Sequence, residues 1–567
     1  MPGMKRDLRF PYCWPVVLLL CSFALQGSAQ TSRFSRYWIR FTDKNNSPYS
    51  TNHPEDFLSD RCIERRLRFN LGFDWYDLPV NPAYVDSVLA TGVVLIEKSK
   101  WLNSVVIETS DSLALLHIRH LPFVLSGSPM APKVKSKKTN FYPVRQNLSF
   151  SNDPLDYGSA EAQIAILEGK SLHFSGFRGE GMQIAVLDEG FLNADSLFVF
   201  DSLNAGHQIL GTYNFVDGGT DVFNSGAHGS ECLSTMAANA PGIFVGTAPK
   251  ADYWLLHTEN HTSEYPLEEV NWVSGAEYAD SVGADVISCS LGYTTFDSAQ
   301  FNNTYADMNG RTTPCSIGAT LAARKGMIVC NSAGNEGGAA WHYISAPADA
   351  DSILTVGATD FDGNPAGFSS YGPTADGRIK PDVCAVGIGT IVANPWNNTV
   401  GGGNGTSFSN PTVAGLTACL WQAHPDKTNM EIIRAIQQCS SIHTNPDNHL
   451  GYGIPNFELA DMMLSGYSTQ DFKSQDLPIL FPNPFSENGF DLLIQLDGKE
   501  PVSLDIYDMV GRKVYADNIG YSAGLYRLHI VALASMPAGV YFVRLKNSGF
   551  SKLFKAINQH SYYYINY

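Results

Sequence analysis

Basic side chains and long apolar runs are both scarce in this sequence of 567 residues. Lysine and arginine number 38 against 55 aspartates and glutamates, which gives a formal net charge of -17 at pH 7. A surface of this sign repels phosphate groups, which argues against nucleic acids and anionic membrane surfaces as partners. Beyond the first thirty residues no apolar run reaches the length of a membrane-spanning helix, so we expect no transmembrane anchor.

Cysteines in metal-ligand spacing are missing as well. The sequence has ten cysteines, and none of them shows the short paired spacing of a zinc site. Seven of them, an odd number, follow Cys62, and several lie in or beside apolar runs, where a free cysteine behaves as a small buried hydrophobic side chain. We therefore predict no metal cluster and assign no disulfide.

The amino terminus has the pattern of an export signal. A basic start and an apolar stretch, Val16 to Leu25, precede a run of small residues. This order predicts a signal peptide at residues 1–29 and a mature chain that begins near Gln30. Cys21 raises the alternative of a lipoprotein, but Leu20 before it is larger than the small residue that lipoprotein processing needs.

Residues 30–128 contain short elements of both kinds. The apolar pattern predicts strands at Tyr37 to Phe41, Val93 to Glu97 and Ser104 to Glu108, and helices at Phe57 to Leu67, after Pro82 and around Leu113 to Leu116. This order suits a small α+β domain in which one sheet is covered by helices. Residues 129–155 carry a lysine-rich run without apolar periodicity, which predicts an exposed linker open to proteolysis.

Residues 156–464 alternate apolar strands with helices. The predicted strands are Ile184 to Leu187, Tyr253 to Leu256, Val286 to Ser290, Met327 to Cys330 and Ile353 to Val356, with helices around Ser230 to Ala238, Leu267 to Ser281 and Ser316 to Arg324. This α/β order implies a parallel sheet sandwiched by helices. Ligands of such sheets bind beyond the carboxyl ends of the strands.

The last part of the chain changes pattern again. Residues 465–480 form a polar linker, and residues 481–567 alternate apolar and polar side chains without helical spacing. We predict a small all-β sandwich of about seven strands there.

A glycine-rich run ends at a serine in Gly405-Thr406-Ser407. Small and apolar residues with helical spacing follow as far as Gly415, so we place Ser407 at the start of a helix. Glycines let a substrate backbone approach, and free amides at a helix amino terminus stabilise negative charge on an attacked carbonyl oxygen. Ser407 is therefore a candidate nucleophile, while a plain helix cap is the alternative for this residue taken alone.

Two further side chains with acid–base chemistry stand at predicted element ends. Asp188 directly follows an apolar strand, and His228 opens a run of small residues that predicts a closely packed helix. A serine becomes a strong nucleophile when a histidine takes its proton, and a carboxylate orients that histidine. The chain order Asp, His, Ser is one in which such catalytic triads occur.

Residues 156–464 resemble a subtilisin-like serine protease domain. The matching motifs are Ala185-Val186-Leu187-Asp188, His228-Gly229-Ser230, Ser332-Ala333-Gly334-Asn335-Glu336-Gly337 and Gly405-Thr406-Ser407 through Pro411 to Gly415. The resemblance implies that Asp188, His228 and Ser407 are the catalytic residues and that Asn335 donates to the oxyanion. It also implies that protein or peptide substrates bind as an added strand along two segments, Ser290-Leu291-Gly292 and Ala333-Gly334.

Several residues depart from the family pattern. Glu189 and Glu231 flank the catalytic aspartate and histidine where a small residue and a second histidine are usual, and Asn410 replaces a small residue after the nucleophile. We expect no required cofactor. Subtilisin-like enzymes often bind calcium, so a structural calcium ion is possible, but residues 360–364 favour an acidic turn because a complete ligand set is not evident.

The flanking domains also resemble known families. Residues 30–128 resemble, in pattern and position, the inhibitory propeptides of subtilisin-like proteases. Residues 481–567 resemble the sorting domain of the type IX secretion system, through Phe481-Pro482-Asn483-Pro484-Phe485, Leu504-Asp505-Ile506-Tyr507-Asp508 and Pro537 through Leu545. These resemblances imply a zymogen with its own propeptide as inhibitor, secreted or held at the cell surface after export by the type IX machinery.

The sequence thus favours a secreted serine endopeptidase. Two alternatives stay open: a catalytically idle surface protein that binds peptides in the cleft, and an acyl transferase or peptide ligase on the same fold.

Overall fold

The computed structural model describes residues 34–135, 137–139, 148–466, 478–486, 489–497, 501–519, 523–530, 536–547 and 551–559. The predicted signal peptide, residues 136 and 140–147 of the first predicted linker, residues 467–477 of the second and residues 560–567 lie outside these residues. Within them, no helix is long and apolar enough to cross a membrane.

The amino-terminal domain is built on one antiparallel sheet. Its elements are β1 Arg36–Phe41, α1 Asp60–Arg68, α2 Pro82–Leu89, β2 Val94–Ser99, β3 Ser104–Glu108, α3 Ser112–Arg119 and β4 Val124–Ala131. The strand order is β2-β3-β1-β4, and α2 and α3 pack on one face of the sheet through Val88, Ile118, Ile39 and Ile107. The α+β prediction is therefore confirmed, although β4 continues past residue 128 into the stretch predicted as linker, pairing with β1 through main-chain bonds.

Local chemistry explains where the two covering helices begin. The Asn81 side chain accepts a hydrogen bond from the backbone N–H of Ala83, and Pro82 occupies the first turn of α2, where its missing N–H costs nothing. Asp111 caps α3 in the same way by accepting from two backbone amides. Both helix starts are thus set by residues next to each other in sequence.

The central domain holds most of the regular structure. Its elements are α4 Glu161–Ala165, α5 Lys170–Phe174, β5 Gln183–Asp188, α6 Asp201–Ala205, β6 Ile209–Asn214, α7 His228–Ala237, β7 Asn239–Ala240, β8 Phe244–Val245, β9 Asp252–His257, α8 Leu267–Val282, β10 Val286–Cys289, α9 Pro314–Arg324, β11 Ile328–Ser332, β12 Leu354–Thr359, β13 Val383–Val386, β14 Ile388–Asn394, β15 Thr399–Asn404, α10 Thr406–Ala423, α11 Asn429–Gln438 and α12 Phe457–Leu464.

Seven of these strands form a parallel sheet in the order β13-β12-β11-β10-β5-β9-β6. Alternate residues of β5 face opposite layers: Ile184 and Val186 join the core with α7 and α10, whereas Ala185 and Leu187 join the core with α8 and α9. Both faces are buried, which is why the strand is apolar at four consecutive positions, 184–187. The predicted helix–sheet–helix architecture is confirmed.

Two strands of this sheet and two antiparallel strand pairs, β7-β8 and β14-β15, have no counterpart in the predicted elements. β6 and β13 are the sheet's outer strands, and the glycine-rich run before Ser407 is β15, which pairs with β14. Glycines carry no side chain to alternate between faces, so β15 shows no strand pattern in the sequence.

The carboxyl-terminal region is all β within its described residues, as predicted. Its strands are β16 Ile479–Ser486, β17 Gly489–Asp497, β18 Val502–Tyr507, β19 Lys513–Ile519, β20 Ala523–Ile530, β21 Gly539–Lys546 and β22 Ser551–Asn558. They run in the order β19-β18-β21-β22-β16-β17-β20. The two halves of this sheet are joined between β16 and β22, where the strands pair at Phe485 and Asn558 and the Asn483 side chain adds hydrogen bonds to β22. Side chains of both halves share one hydrophobic core, which is the packing of a sandwich.

Candidate active site

The carboxyl end of β5 and the first residue of α7 meet at one point. The Nδ1 atom of His228 lies 2.7 Å from Oδ1 of Asp188, and the Asp188 side chain is completely buried. This closeness requires Gly229, because a Cβ there would lie 2.2 Å from the carbonyl oxygen of Gly190 and 2.9 Å from the Cβ of Asp188. The sequence pattern of a histidine followed by glycine therefore reflects direct contact between helix and strand.

The carboxylate controls the protonation of the imidazole. Burial lowers the pKa of His228, but the charge and hydrogen bond of Asp188 outweigh it and leave the pKa well above its ordinary value. About a quarter of the His228 side chain stays exposed, at 27%. The ring is thus held by one nitrogen and accessible enough to exchange a proton.

Ser407 lies in the first turn of α10, and a proline inside that helix shapes its surroundings. Pro411 has no N–H, so the Ser407 carbonyl four residues earlier has no helical donor. Two side chains take that place: Ser290 Oγ donates at 2.9 Å and Cys232 Sγ at 3.2 Å. The backbone of Ser407 is therefore fixed between the end of β10 and helix α7.

Cys232 also links the serine to the histidine. It lies one helical turn after His228, and its Sγ atom is 3.8 Å from both ring nitrogens. Burial raises the pKa of this thiol to about 11, so it is a neutral packing group under the ring. The Ser407 hydroxyl donates to the carbonyl of Ser290 at 3.4 Å, which is a long and weak bond.

The Asn335 side chain is oriented by its acceptor atom. Asn335 Oδ1 accepts from the backbone N–H of Thr406 at 2.9 Å and from its hydroxyl at 3.0 Å, which leaves the Nδ2 donor on the other side of the amide plane. A Cβ on Gly405 would lie 3.6 Å from the backbone nitrogen of Ser407 and 3.8 Å from Asn335 Nδ2. Both nitrogens therefore border the same small space, kept open by a glycine.

The two predicted substrate segments follow neighbouring strands. Ser290, Leu291 and Gly292 come directly after β10, and Ala333 and Gly334 directly after β11. The sequence analysis did not single out Asn331, whose amide donates to the carbonyls of Leu291 at 3.2 Å and Ser332 at 2.9 Å and so joins the two segments.

A serine that the sequence analysis missed lies between these segments. The Ser345 hydroxyl is buried without a hydrogen-bond partner in the described structure. A Cβ on Gly292 would lie 2.1 Å from this oxygen and one on Gly334 3.1 Å from it. Ser345 is ten residues from Asn335 and no local pattern marks it, so only the fold shows that it borders both segments.

The three unusual residues have structural explanations of different kinds. Asn410 donates from Nδ2 to the carbonyl of Cys289 at 2.9 Å, so it ties the nucleophile helix to the end of β10. Burial raises the pKa of Glu189, and Asp188 beside it raises it further. Burial likewise raises the pKa of Glu231 to about 7. These two carboxyls add negative charge around the histidine without displacing it.

Comparison with protein families gives three matches along the chain. Residues 36–144 match the Peptidase S8 propeptide domain of Bacteroidota, residues 179–453 match the subtilase family, and residues 479–559 match a secretion system C-terminal sorting domain. The chain carries a subtilase peptidase domain.

Individual relatives agree with this assignment. Subtilisin NAT of Bacillus subtilis subsp. natto is 29% identical over 302 residues, which cover 52% of this chain and 70% of the relative. The subtilisin of Bacillus pumilus is 28% identical over 302 residues and is covered to 97% of its length. Serine protease AprX of Bacillus subtilis (strain 168) is 27% identical over 311 residues, 49% of this chain and 66% of that protein.

The order of domains establishes how the subtilase is made. It is a serine peptidase preceded by its own propeptide, so it is made as a zymogen, and the type IX sorting domain directs it out of the cell or onto the cell surface. The predictions of family, zymogen and export are therefore confirmed.

One group of atoms in the subtilase has distances that suit a metal ion. Ligand atoms of Asp188, His228 and Cys232 all lie within 4.8 Å of one another. The neutral Cys232 thiol is a poor ligand until it loses its proton, and the aspartate–histidine contact accounts for the other two. All eight cysteines of the described residues are buried and unpaired.

Proposed function

We propose that the subtilase domain is an endopeptidase that hydrolyses internal peptide bonds of protein or peptide substrates through an acyl-enzyme. Ser407 is the nucleophile, His228 the general base and acid, and Asp188 the group that fixes and stabilises the imidazolium. The observation that carries the proposal is the contact between Asp188 and His228, in a site where Cys232 contacts both the His228 ring and the Ser407 carbonyl.

The reaction begins with a small side-chain rotation. The Ser407 hydroxyl leaves its weak bond to the Ser290 carbonyl and donates to Nε2 of His228, which takes the proton as Oγ attacks the substrate carbonyl. Loose contacts of this kind are usual before substrate binds. Negative charge develops on the substrate oxygen, and the backbone N–H of Ser407 and Nδ2 of Asn335 stabilise it.

The two halves of the reaction use the same groups. His228 returns its proton to the leaving amine, an ester forms on Ser407, and water then attacks this ester while His228 again accepts a proton. Substrate binds as an extended strand against Ser290–Gly292 and Ala333–Gly334, where backbone groups supply affinity for any internal sequence. This mode of binding supports cleavage within a chain rather than at its ends.

The proposal requires no cofactor, because these side chains supply the nucleophile, the base and the oxyanion donors. Any calcium ion would then have a structural role. At the acidic turn, Asp360 accepts hydrogen bonds from the backbone of Asp362 and from the backbone and side chain of Asn364, so its carboxylate is already satisfied by the turn itself.

Labelling and cleavage test the proposal together. The full chain, after removal of its propeptide, should bind a fluorophosphonate at Ser407 and cut a quenched peptide that is blocked at both ends. Ser407→Ala should abolish both, whereas Ser409→Ala, a buried serine of the same helix that donates to the carbonyl of Thr406, should keep the labelling site.

The outcomes separate the alternatives. No labelling of the parent, while a known serine peptidase is labelled, would mean an idle binding protein. Cleavage only of peptides with a free end would contradict the endopeptidase. Peptides joined to an added amine in preference to hydrolysed ones would favour acyl transfer.

A further inference from the structure

A long segment separates the first strand of the propeptide from its first covering helix. Residues 42–80, here called the arm, lie between β1 and α2 and carry α1. The four-stranded sheet and its two covering helices form a hydrophobic core without α1. Lys44 near the start of the arm donates from Nζ to the carbonyls of Trp75 and Leu78 near the end of the arm, and to the carbonyl of Lys100 in the sheet domain.

Three arginines on one face of α1 contact the peptidase domain. Arg65 Nη2 lies 2.6 Å from Oδ1 of Asp280, and Arg66 Nη2 lies 2.8 and 2.9 Å from the two oxygens of the same carboxylate. Arg61 pairs with Asp285. Asp280 is the last acidic residue of α8, and Asp285 directly precedes β10.

Charges also pair in the opposite direction. Lys325 of the peptidase lies 2.7 Å from Asp74 Oδ1 and 2.7 Å from Asp77 Oδ2 of the arm. Asp77 in turn lies 3.2 Å from Arg66. The result is one continuous network in which each partner supplies both signs of charge, which selects this pairing over others.

The network is remote from the cleft. Arg61 also donates to the carbonyls of Gly181 and Gly283, which precede β5 and β10, whereas the catalytic groups follow the carboxyl ends of those strands. At the same edge the ring of Phe69 stacks on Trp421, with ring centroids 5.9 Å apart. Trp421 is near the far end of α10, the helix that carries Ser407 in its first turn.

We propose that this edge of the peptidase is an exosite for an arginine-bearing helix, and that the arm occupies it as a second latch that retains the propeptide after the linker is cut. The ligand class is a helix with arginines at positions i, i+4 and i+5. The first attachment is the sheet, whose Ser99, Lys100 and Trp101 donate to Glu277 of α8. Cleavage of the linker frees one end of the propeptide and leaves every contact of the arm in place, so release requires these ion pairs to break as well.

Burial makes the latch sensitive to the loss of either partner of an ion pair. The side chains of Arg66, Asp77 and Asp280 have no exposed surface, so removal of one charge leaves its partner desolvated and unpaired. Burial raises the pKa of Asp280, but the charges of Arg66 and Lys100 outweigh it and hold that pKa at about 2, so the Asp280 carboxylate stays ionised throughout the neutral range. Two points of attachment also retain a ligand far longer than either alone.

The experiment measures retention without any catalysis. A full-length chain carries Ser407→Ala, so that it does not cut itself, and a recognition sequence for a sequence-specific protease inserted after Lys138, which is exposed. After cutting, gel filtration and dilution report how fast the propeptide leaves. We expect the parent propeptide to coelute with the peptidase, and Arg65→Met or Arg66→Met to speed its release roughly 30-fold or more.

Arg68→Met is the matched control. It is an exposed arginine of the same helix with no ion pair in the described structure, so its release should stay within about twofold of the parent. Equal release from Arg66→Met and Arg68→Met would overturn the proposal, and so would immediate release from the cut parent. Neither outcome depends on whether the peptidase cleaves peptides.

Partly exposed pairs keep the test decisive if a buried variant does not fold. Arg61 and Asp74 are 37% and 44% exposed, so Arg61→Met and Asp74→Asn should leave the melting temperature of the uncut chain unchanged. Each should speed release roughly 3- to 10-fold. Both substitutions lie in the propeptide, so the peptidase sequence is identical in all samples. Unchanged release in both variants would overturn the proposal.

Discussion

Loss of the Asn335 amide should reduce turnover far more than it reduces substrate binding. Asn335→Leu removes the Nδ2 donor that we propose for the developing oxyanion but leaves the proposed triad and the backbone amide of Ser407 in place. Removing one such donor costs roughly 10²–10³ in kcat, or about 2.7–4 kcal/mol. We expect KM to change by less than about threefold, because the donor acts mainly in the transition state.

A second variant separates the donor from the contacts that orient it. Thr406 gives Asn335 Oδ1 one hydrogen bond from its backbone and one from its hydroxyl. Thr406→Val removes the second, worth roughly 0.5–1.5 kcal/mol, together with the long bond that the hydroxyl accepts from the Gly334 amide, so kcat should fall about 2- to 12-fold or somewhat more. Thr406→Ser keeps the hydroxyl and serves as the control.

Steady-state hydrolysis of a quenched peptide, with active sites counted by fluorophosphonate titration, gives both parameters. The titration matters because Asn335 borders the nucleophile and a misfolded fraction would otherwise resemble a slow enzyme. A kcat within about threefold of the parent for Asn335→Leu would refute the oxyanion role. A loss in KM alone would show that Asn335 binds substrate in its ground state.

Three other outcomes follow from charge and packing. The pKa of His228 is raised and only the neutral ring accepts a proton, so kcat/KM should decline toward acid pH with a midpoint above pH 6.5. Asp188→Asn should shift this decline to lower pH and cut kcat roughly 10⁴-fold. Burial beside Glu277 raises the pKa of Glu97 from 4.5 to about 7, so retention of the cut propeptide should weaken as pH rises between these values, and Glu97→Gln should flatten this dependence. Gly415→Ala should lower stability by about 1–3 kcal/mol in urea, because its Cβ would lie 2.1 Å from a threonine hydroxyl; an unchanged midpoint contradicts this.

The elements that carry catalysis were predictable because each is a local pattern. β5 reads as a continuous apolar run because both of its faces are buried, and its end marks Asp188. Gly229 marks a place where helix and strand approach closely, and Gly405 borders the space beside the Ser407 and Asn335 nitrogens. The motifs around Asn335 and Ser407 needed only short stretches of sequence to be recognised as similar to a known family.

Other features were not visible in any window of sequence. β15 consists largely of glycines, so only its pairing with β14 reveals a strand. Cys232 had a usable signal, since it follows His228 by one helical turn, but its contact with the Ser407 carbonyl depends on Pro411 in a distant helix. Ser345 reaches the substrate segments through a loop whose course the fold alone sets.

The sequence by itself determined the domain order, the family and the identity of the candidate triad, because these depend on periodicity and on motifs of a few residues. The tertiary structure alone decided which side chains hold those residues in place, and that residues 42–80 cross from the propeptide to the peptidase. Arg66 and Asp280 are separated by 214 positions, and each looks like an ordinary surface charge in the sequence. Folding removes both side chains from water, and an unpaired buried charge is too costly to keep, so the two are buried as a pair.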